Sequence, residues 1–209
     1  MHRIGKQLSA LITVAALAAF VPASGVSAQE NLASRFTAGA FGGISLPTGD
    51  LKNEANVGWH AGAMVKADVY GALDLRLDGA YSKFGKKDVD LGTAKVTTKT
   101  GIVLGTLNAV LNLGTDSAAY PGDNTVSPYI IGGYGVYRFS FDDVCSGSCT
   151  GFNLVGDHTY RGFNIGGGAT VPISGIRTFV EARYHRVSIS SNEGGNRTML
   201  LASFGVKFR

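Results

Sequence analysis

The sequence has little charge, little proline, two cysteines and no long apolar run after its first segment. Asp, Glu, Lys and Arg make up only 16% of the 209 residues, against roughly 25% in an average soluble domain. That scarcity excludes a disordered or acidic solvating chain, which depends on high charge and low hydrophobicity. With only five prolines, and with glycine showing no three-residue period, a collagen-like rod is excluded. The formal net charge of +4 is too small to point to nucleic acid. What is plentiful is apolar surface and glycine. Hydrophobic residues are 44% and glycines number 30, about double the usual share of glycine. A charge-poor, apolar, glycine-rich chain needs an unusual place for its apolar surface.

Residues 1–28 read as a secretory signal peptide. Arg3 and Lys6 make a positive start, an apolar run extends from Leu11 to Val21, and Pro22 breaks it. Val26-Ser27-Ala28 then offers small residues for cleavage before Gln29. The run is too short to cross a bilayer as a helix, which needs about 20 residues. The mature chain is then 29–209, with acids and bases nearly balanced.

Along that chain a period of two recurs, the mark of strands whose successive side chains point to opposite faces. Leu73, Leu75, Leu77 and Tyr81 alternate with Asp74, Arg76, Asp78 and Ser82. Trp59, Ala61, Ala63, Val65, Ala67 and Val69 oppose His60, Lys66 and Asp68. Val180, Ala182 and Tyr184 oppose Glu181, Arg183 and His185, and Phe204, Val206 and Phe208 oppose Ser203, Gly205 and Lys207. Eight strands are predicted, at 35–46, 57–70, 73–85, 99–113, 128–141, 158–171, 176–189 and 198–208. Each exceeds the usual mode of about 5–6 residues and reaches the roughly 9–11 that a tilted transmembrane strand needs. No amphipathic helix is evident between them. The prediction is all-β, an eight-stranded antiparallel transmembrane β-barrel over 29–209, because closure removes sheet edges.

The connections alternate in length. Tight turns fall near Gly71-Ala72 and Ser174-Gly175; 47–56, 86–98, 142–157 and 190–197 are longer. Short turns at one end and long loops at the other are the asymmetry of outer-membrane barrels. The 114–127 connection is long yet falls at the short end, and nothing in it explains its length.

Alternation alone does not say which face is inside. A soluble lipocalin-like barrel turns its apolar face inward; a membrane barrel turns it outward. Two features favour the membrane. The polar faces are often Gly, Ser, Thr, Asn or Tyr rather than Lys and Glu. Tyr70, Tyr81, Tyr129, Tyr137, Phe139, Phe141, Phe204 and Phe208 cluster near strand ends, where they would form interfacial girdles. A third is the ending, Phe204-Gly205-Val206-Lys207-Phe208-Arg209. With Ser127-Pro128-Tyr129-Ile130-Ile131-Gly132-Gly133-Tyr134-Gly135, Gly162-Phe163-Asn164-Ile165-Gly166-Gly167-Gly168 and Phe179-Val180-Glu181-Ala182-Arg183-Tyr184, it resembles the outer-membrane β-barrel domain family, the small OmpA-, OmpX- and OmpW-like barrels. In that family a terminal amphipathic strand ending in Phe is the assembly signal; here Arg209 follows Phe208. The resemblance implies a Gram-negative outer membrane, contact with the outer-membrane assembly machinery, and outer-membrane lipid and lipopolysaccharide as surroundings.

With the apolar face outward, His60, Lys66, Asp68, Asp74, Arg76, Asp78, Arg138, Glu181, Arg183, His185 and Lys207 are expected in the lumen. An eight-stranded barrel is only wide enough for its side chains to fill, so these charges must pair. Arg76 and Arg183 are expected to pair with Asp78, Asp74 or Glu181. The expected role is a structural plug; the alternative is a narrow ion or water path. A catalytic reading would use His185 with Ser188, as in barrels that modify lipid A. The His-x-x-Ser spacing puts the two on opposite faces of a strand, so no catalytic residue is assigned. His185 with Ser203, across the last two strands, is the remaining pairing to consider.

Cys145 and Cys149 flank a short loop segment, and export favours a disulfide over a metal site, which would need further ligands nearby. Gly42-Gly43, Gly132-Gly133 and Gly166-Gly167-Gly168 lack the strand–loop–helix context of a phosphate loop and read as relief of crowding in a small barrel. Lys86, Lys87, Lys95 and Lys99 read as a solvated loop, with lipopolysaccharide phosphates as the alternative. No cofactor, metal or nucleic acid is implied, and a monomer is expected. The functional expectation is a structural or surface-interaction barrel, not an enzyme. A narrow channel or carrier for small hydrophobic molecules is the second reading and a lipid-A-modifying enzyme the third.

Overall fold

The computed structural model describes residues 35–90, 94–114, 125–147, 157–189 and 196–208, with backbone alone at 88–90, 94–96 and 142–147. The expected signal peptide and the Cys145–Cys149 disulfide lie outside what is described.

The elements are β1 (Phe36–Gly49), α1 (Leu51–Glu54), β2 (Asn56–Tyr70), β3 (Leu73–Gly85), β4 (Lys87–Asp90), β5 (Ala94–Asn112), β6 (Ser127–Gly147), β7 (His158–Ile173), β8 (Ile176–Ser188) and β9 (Arg197–Phe208). Apart from β3 and β4, sequential strands pair antiparallel; β9 returns to β1, and β3 pairs with β5. The result is a closed eight-stranded wall, with β4 outside it as a short partner of β5. Closure leaves no unpaired edge along the wall, as a bilayer requires of any backbone that crosses it.

The two tight turns are as the sequence predicts. Gly71 has φ 55°, and Ser174 and Gly175 have φ 50° and 80°. A positive φ at both central residues, as at Ser174-Gly175, or at the first alone, as at Gly71, is what a two-residue hairpin turn needs to match strand twist. At the other end the structure replaces expected loops with ordered backbone. β1 runs on to Gly49 and is followed by a single helical turn. β5 begins at Ala94 and β6 continues to Gly147, with register from Ala94↔Gly147 to Asn112↔Tyr129. The Thr- and Val-rich run at 96–100 favours a pleated backbone, and continuing the ladder satisfies its N–H and C=O groups. β4, β5 and β6 therefore project past the wall as a three-stranded sheet.

Wall polarity is inverted relative to a water-soluble barrel. On β3, Leu73, Leu75 and Leu77 are 40–54% exposed while Asp74, Arg76 and Asp78 are 1–2% exposed. Trp59, Val65, Ile130, Ile165, Val180 and Phe204 continue the exposed apolar surface on other strands. Tyr70, Phe204 and Phe208 lie outward as expected for girdles, whereas Tyr129, Tyr137 and Phe139 are buried inside. β6 is apolar on both faces, so its alternation carries no polarity by which to orient it.

Candidate functional site: a charge ring across the lumen

β3 and β8 stand opposite each other in the eight-stranded ring, four places apart in either direction. Alternation on β3 aims Asp74, Arg76 and Asp78 inward; on β8 it aims Glu181, Arg183 and His185 inward. The two triplets meet across the diameter. Arg76 Nη1 lies 2.7 Å from Glu181 Oε2, and Arg183 Nη1 lies 3.2 Å from Asp78 Oδ2. Arg76 Nη2 also lies 2.7 Å from Asp78 Oδ1, and Arg183 Nε lies 2.8 Å from Glu181 Oε1. Two bases and two acids thus form a closed, neutral ring. All four are buried, where an unpaired charge would cost several kcal/mol, on the order of 3–5.

Neutral groups complete the ring. Tyr129 OH donates to Glu181 Oε2 at 2.8 Å, and Asn108 Nδ2 donates to Asp78 Oδ2 at 2.6 Å. Asn164 Nδ2 donates in turn to Asn108 Oδ1 at 2.8 Å. The Arg76 guanidinium sits 5.2 Å from the Phe179 ring centroid and 5.9 Å from that of Phe41. Two inward glycines of β7 make the space: a Cβ on Gly168 would meet Tyr129 OH at 2.6 Å, and one on Gly166 would meet Arg183 Cγ at 2.7 Å.

Toward the tight-turn end, Lys66 Nζ contacts Asp74 Oδ2 at 2.5 Å and Asp68 Oδ1 at 3.0 Å. Asn112 Nδ2 donates to the same Asp74 oxygen at 2.8 Å. Lys207 donates to Thr170 Oγ1 at 2.6 Å and lies near the Tyr129 and Phe179 rings. Toward the long-loop end, His60 bridges two serines: Nδ1 is 3.2 Å from Ser45 Oγ and Nε2 is 2.8 Å from Ser203 Oγ. His185 Nδ1 is 2.9 Å from Tyr137 OH. Ser203 therefore partners His60 and not His185, which stands opposite Met199 in the ladder. His185 is buried while Ser188 is exposed, so the two lie on opposite faces of β8.

Beyond the histidines the lumen becomes apolar. Leu51 of α1, Phe84, Ile102, Phe139, Val187 and Met199 form one buried cluster, with Phe141 and Tyr160 packed against it. Arg197 lies over the Phe139 and Phe141 rings, at 5.5 and 5.1 Å, and pairs with Glu54 at 2.9 Å.

One charge expected in the lumen is elsewhere. Arg138 points outward and pairs with Asp157 at 2.9 Å; their side chains are 54% and 39% exposed. Its neighbours Tyr137 and Phe139 occupy the inward positions. Adjacent residues of a strand cannot share a face, so burying the two rings puts Arg138 outside. The structure also brings in residues that the sequence did not single out for the site: Asn108, Asn164, Ser45, Ser82, Phe41 and Phe179. Asn108 and Asn164 carried a usable signal, being amides at inward positions of strands whose other faces are apolar.

No protein-family model and no curated protein matches the chain. Solved structures do. Neisserial surface protein A is 16% identical over 83% of this chain and 96% of its own, with a TM-score of 0.55. The N-terminal β-barrel domain of Pseudomonas aeruginosa OprF is 17% identical over 84% and 98%, with a TM-score of 0.47. The outer membrane protein OprG from Pseudomonas aeruginosa is 16% identical over 84% and 97%, again at 0.47. With its closed antiparallel wall, apolar outside and charged inside, this chain has the fold of the small eight-stranded outer-membrane barrels.

Proposed function

We propose that the protein is a barrel of the bacterial outer membrane with a structural or surface-interaction role, and neither a channel nor an enzyme. The observation that carries this reading is the neutral ring Arg76–Asp78–Arg183–Glu181, which ties opposite walls together and fills the cross-section with buried side chains. A lumen occupied in this way supports the wall and offers no continuous aqueous path. The parts available to partners are then the long-loop end and the projecting β4–β5–β6 sheet. The exposed apolar belt supports residence in lipid. The apolar run and cleavage-type residues of 1–28 support export, and the amphipathic β9 ending at Phe208 supports handling by the outer-membrane assembly machinery. The barrel acts as a monomer surrounded by outer-membrane lipid and lipopolysaccharide. A disulfide between Cys145 and Cys149, which export favours, would brace the segment between them.

The catalytic alternative is weakened by geometry. His60 and Ser203 are close, but His60 Nδ1 faces Ser45 and not a carboxylate, so the imidazole lacks the acidic orienting group of a triad. Both residues are also buried. The carrier alternative draws on the apolar cluster at the outer mouth, which the protein's own Leu51 fills.

Planar-bilayer recording on the refolded mature chain tests the reading. The expected result is no steady, reproducible openings from the wild type. Regular unitary openings would replace the structural role with a channel. Membrane fractionation and heat-modifiable gel migration test the barrel itself; a soluble species with no shift on heating would overturn it.

A further inference from the structure

The wall carries a feature of net positive charge on its lipid-facing side. Going toward the long-loop end, the first outward charge on each of three adjacent strands is an arginine. On β6 it is Arg138, on β7 Arg161 and on β8 Arg186, and all three are exposed. The register places them on a diagonal. Arg161 stands opposite Val136, two residues from Arg138, and opposite Ser188, two residues from Arg186. Such diagonal neighbours lie about 7–8 Å apart.

Depth fits a headgroup. On β7 the outward residues from Phe163 to Ile173 are uncharged. At ~3.3 Å per residue and ~40° tilt that stretch spans about 25 Å of membrane normal, the height of an outer-membrane barrel's apolar band. Arg161 is the next outward residue beyond it. At the opposite boundary the same three strands present Ile130, Ile173 and Ile176, so the cationic edge belongs to one leaflet only.

Charge balance points to an anion. Arg138 has Asp157 at 2.9 Å; among the described residues no carboxylate pairs with Arg161 or Arg186. Like charges side by side on a sheet repel, and three planar guanidinium groups suit bidentate recognition of phosphate.

We propose that Arg138, Arg161 and Arg186 form a binding site for the phosphate groups of a phosphorylated glycolipid in the leaflet at the long-loop end. The site rests on the membrane reading above. A lipid held there would fasten its headgroup to the rim while its acyl chains lie along the apolar belt below.

The test compares the refolded mature chain with the triple variant Arg138→Gln, Arg161→Gln, Arg186→Gln in detergent micelles. The probes are bisphosphorylated lipid A, the same lipid dephosphorylated, and inorganic phosphate. Each arginine near an anionic surface contributes about a fivefold gain in affinity, so the triple variant is expected to bind phosphorylated lipid A on the order of 100-fold more weakly. Both proteins are expected to bind the dephosphorylated lipid equally weakly, and inorganic phosphate is expected not to displace lipid A at equal concentration. Equal binding by the two proteins, or equal affinity of the wild type for the two lipids, overturns the proposal. Displacement by inorganic phosphate would reassign the site to a free anion. Arg161→Gln alone, expected to lose about fivefold, keeps the test open if the triple variant does not refold. Loss of the wild type's heat-modifiable shift would instead refute the barrel, so the two failures are distinguishable.

Discussion

The middle of the lumen and its outer mouth are built by the same alternating strands, yet they are filled by opposite chemistry. At the level of Arg76 and Glu181, two acids and two bases join walls that are far apart in sequence, with tyrosine and asparagine supplying the remaining hydrogen bonds. At the level of Phe139 and Met199 the interior is apolar, sealed by Leu51 from a single helical turn and covered by the Glu54–Arg197 pair. The charged layer is directional and fails when one member is missing. The apolar layer is non-directional and fails in proportion to the volume removed. A chain whose outer surface is committed to lipid can use both inside, because neither has to contribute to solubility.

The largest effect that separates the layers is expected from Glu181→Ala. It leaves Arg76, Arg183 and Tyr129 without their shared acceptor and should cost about 3–5 kcal/mol, read by urea titration of the vesicle-inserted barrel through Trp59 fluorescence. Glu181→Leu with Arg183→Leu should cost clearly less than the two single changes added together, since Arg76 and Asp78 remain as a neutral pair. Strict additivity would show that the four charges do not act as a ring.

Next is Phe139→Ala at the mouth, with an expected loss of about 3 kcal/mol from lost burial and the cavity left behind. Planar bilayers should stay silent with this variant, because the ring below is intact. Steady openings would make the mouth, and not the ring, the seal. Leu51→Ala should lose about 2 kcal/mol, and a near-zero loss would mean that α1 rests on the mouth without closing it.

The smallest effect is expected from Glu54→Gln, about 0.5–1 kcal/mol for a partly exposed pair. Arg197 keeps its contact with the Phe139 and Phe141 rings in that variant. A loss as large as that of Phe139→Ala would make the pair, and not the rings beneath it, the element that holds the mouth closed.

How much of this was legible in the sequence varied from strand to strand. Through the middle of β2, β3 and β8 one face is mostly apolar and the other mostly polar or charged, so the inward set could be read directly: Lys66, Asp74, Arg76, Asp78, Glu181, Arg183 and His185 all lie buried. On β6 both faces carry aromatic and aliphatic residues. There the rule that charges point inward placed Arg138 on the wrong side, and the rule that aromatics gather at interfaces placed Tyr137 and Phe139 on the wrong side as well. The single turn at Leu51–Glu54 had no signal, since four residues show no helical period. The extension of β5 and β6 was hidden because a loop-like run of Lys, Asp, Gly and Ser can still continue a ladder when its partner strand does.

The low charge, the doubled glycine and the recurring period of two were enough to point to a closed barrel, and the small polar residues of the polar faces, with the family-like ending and internal motifs, turned its apolar face outward. Those are local properties: alternation is written in consecutive residues, and chain closure follows from strand count and length. Which charge meets which was decided only by the tertiary structure. Arg76 and Glu181 are 105 residues apart, and only the ring order of the strands brings β3 and β8 face to face. The same holds for the arginine diagonal on the outer wall. Arg138, Arg161 and Arg186 are unremarkable in sequence and become neighbours only through the register of β6, β7 and β8.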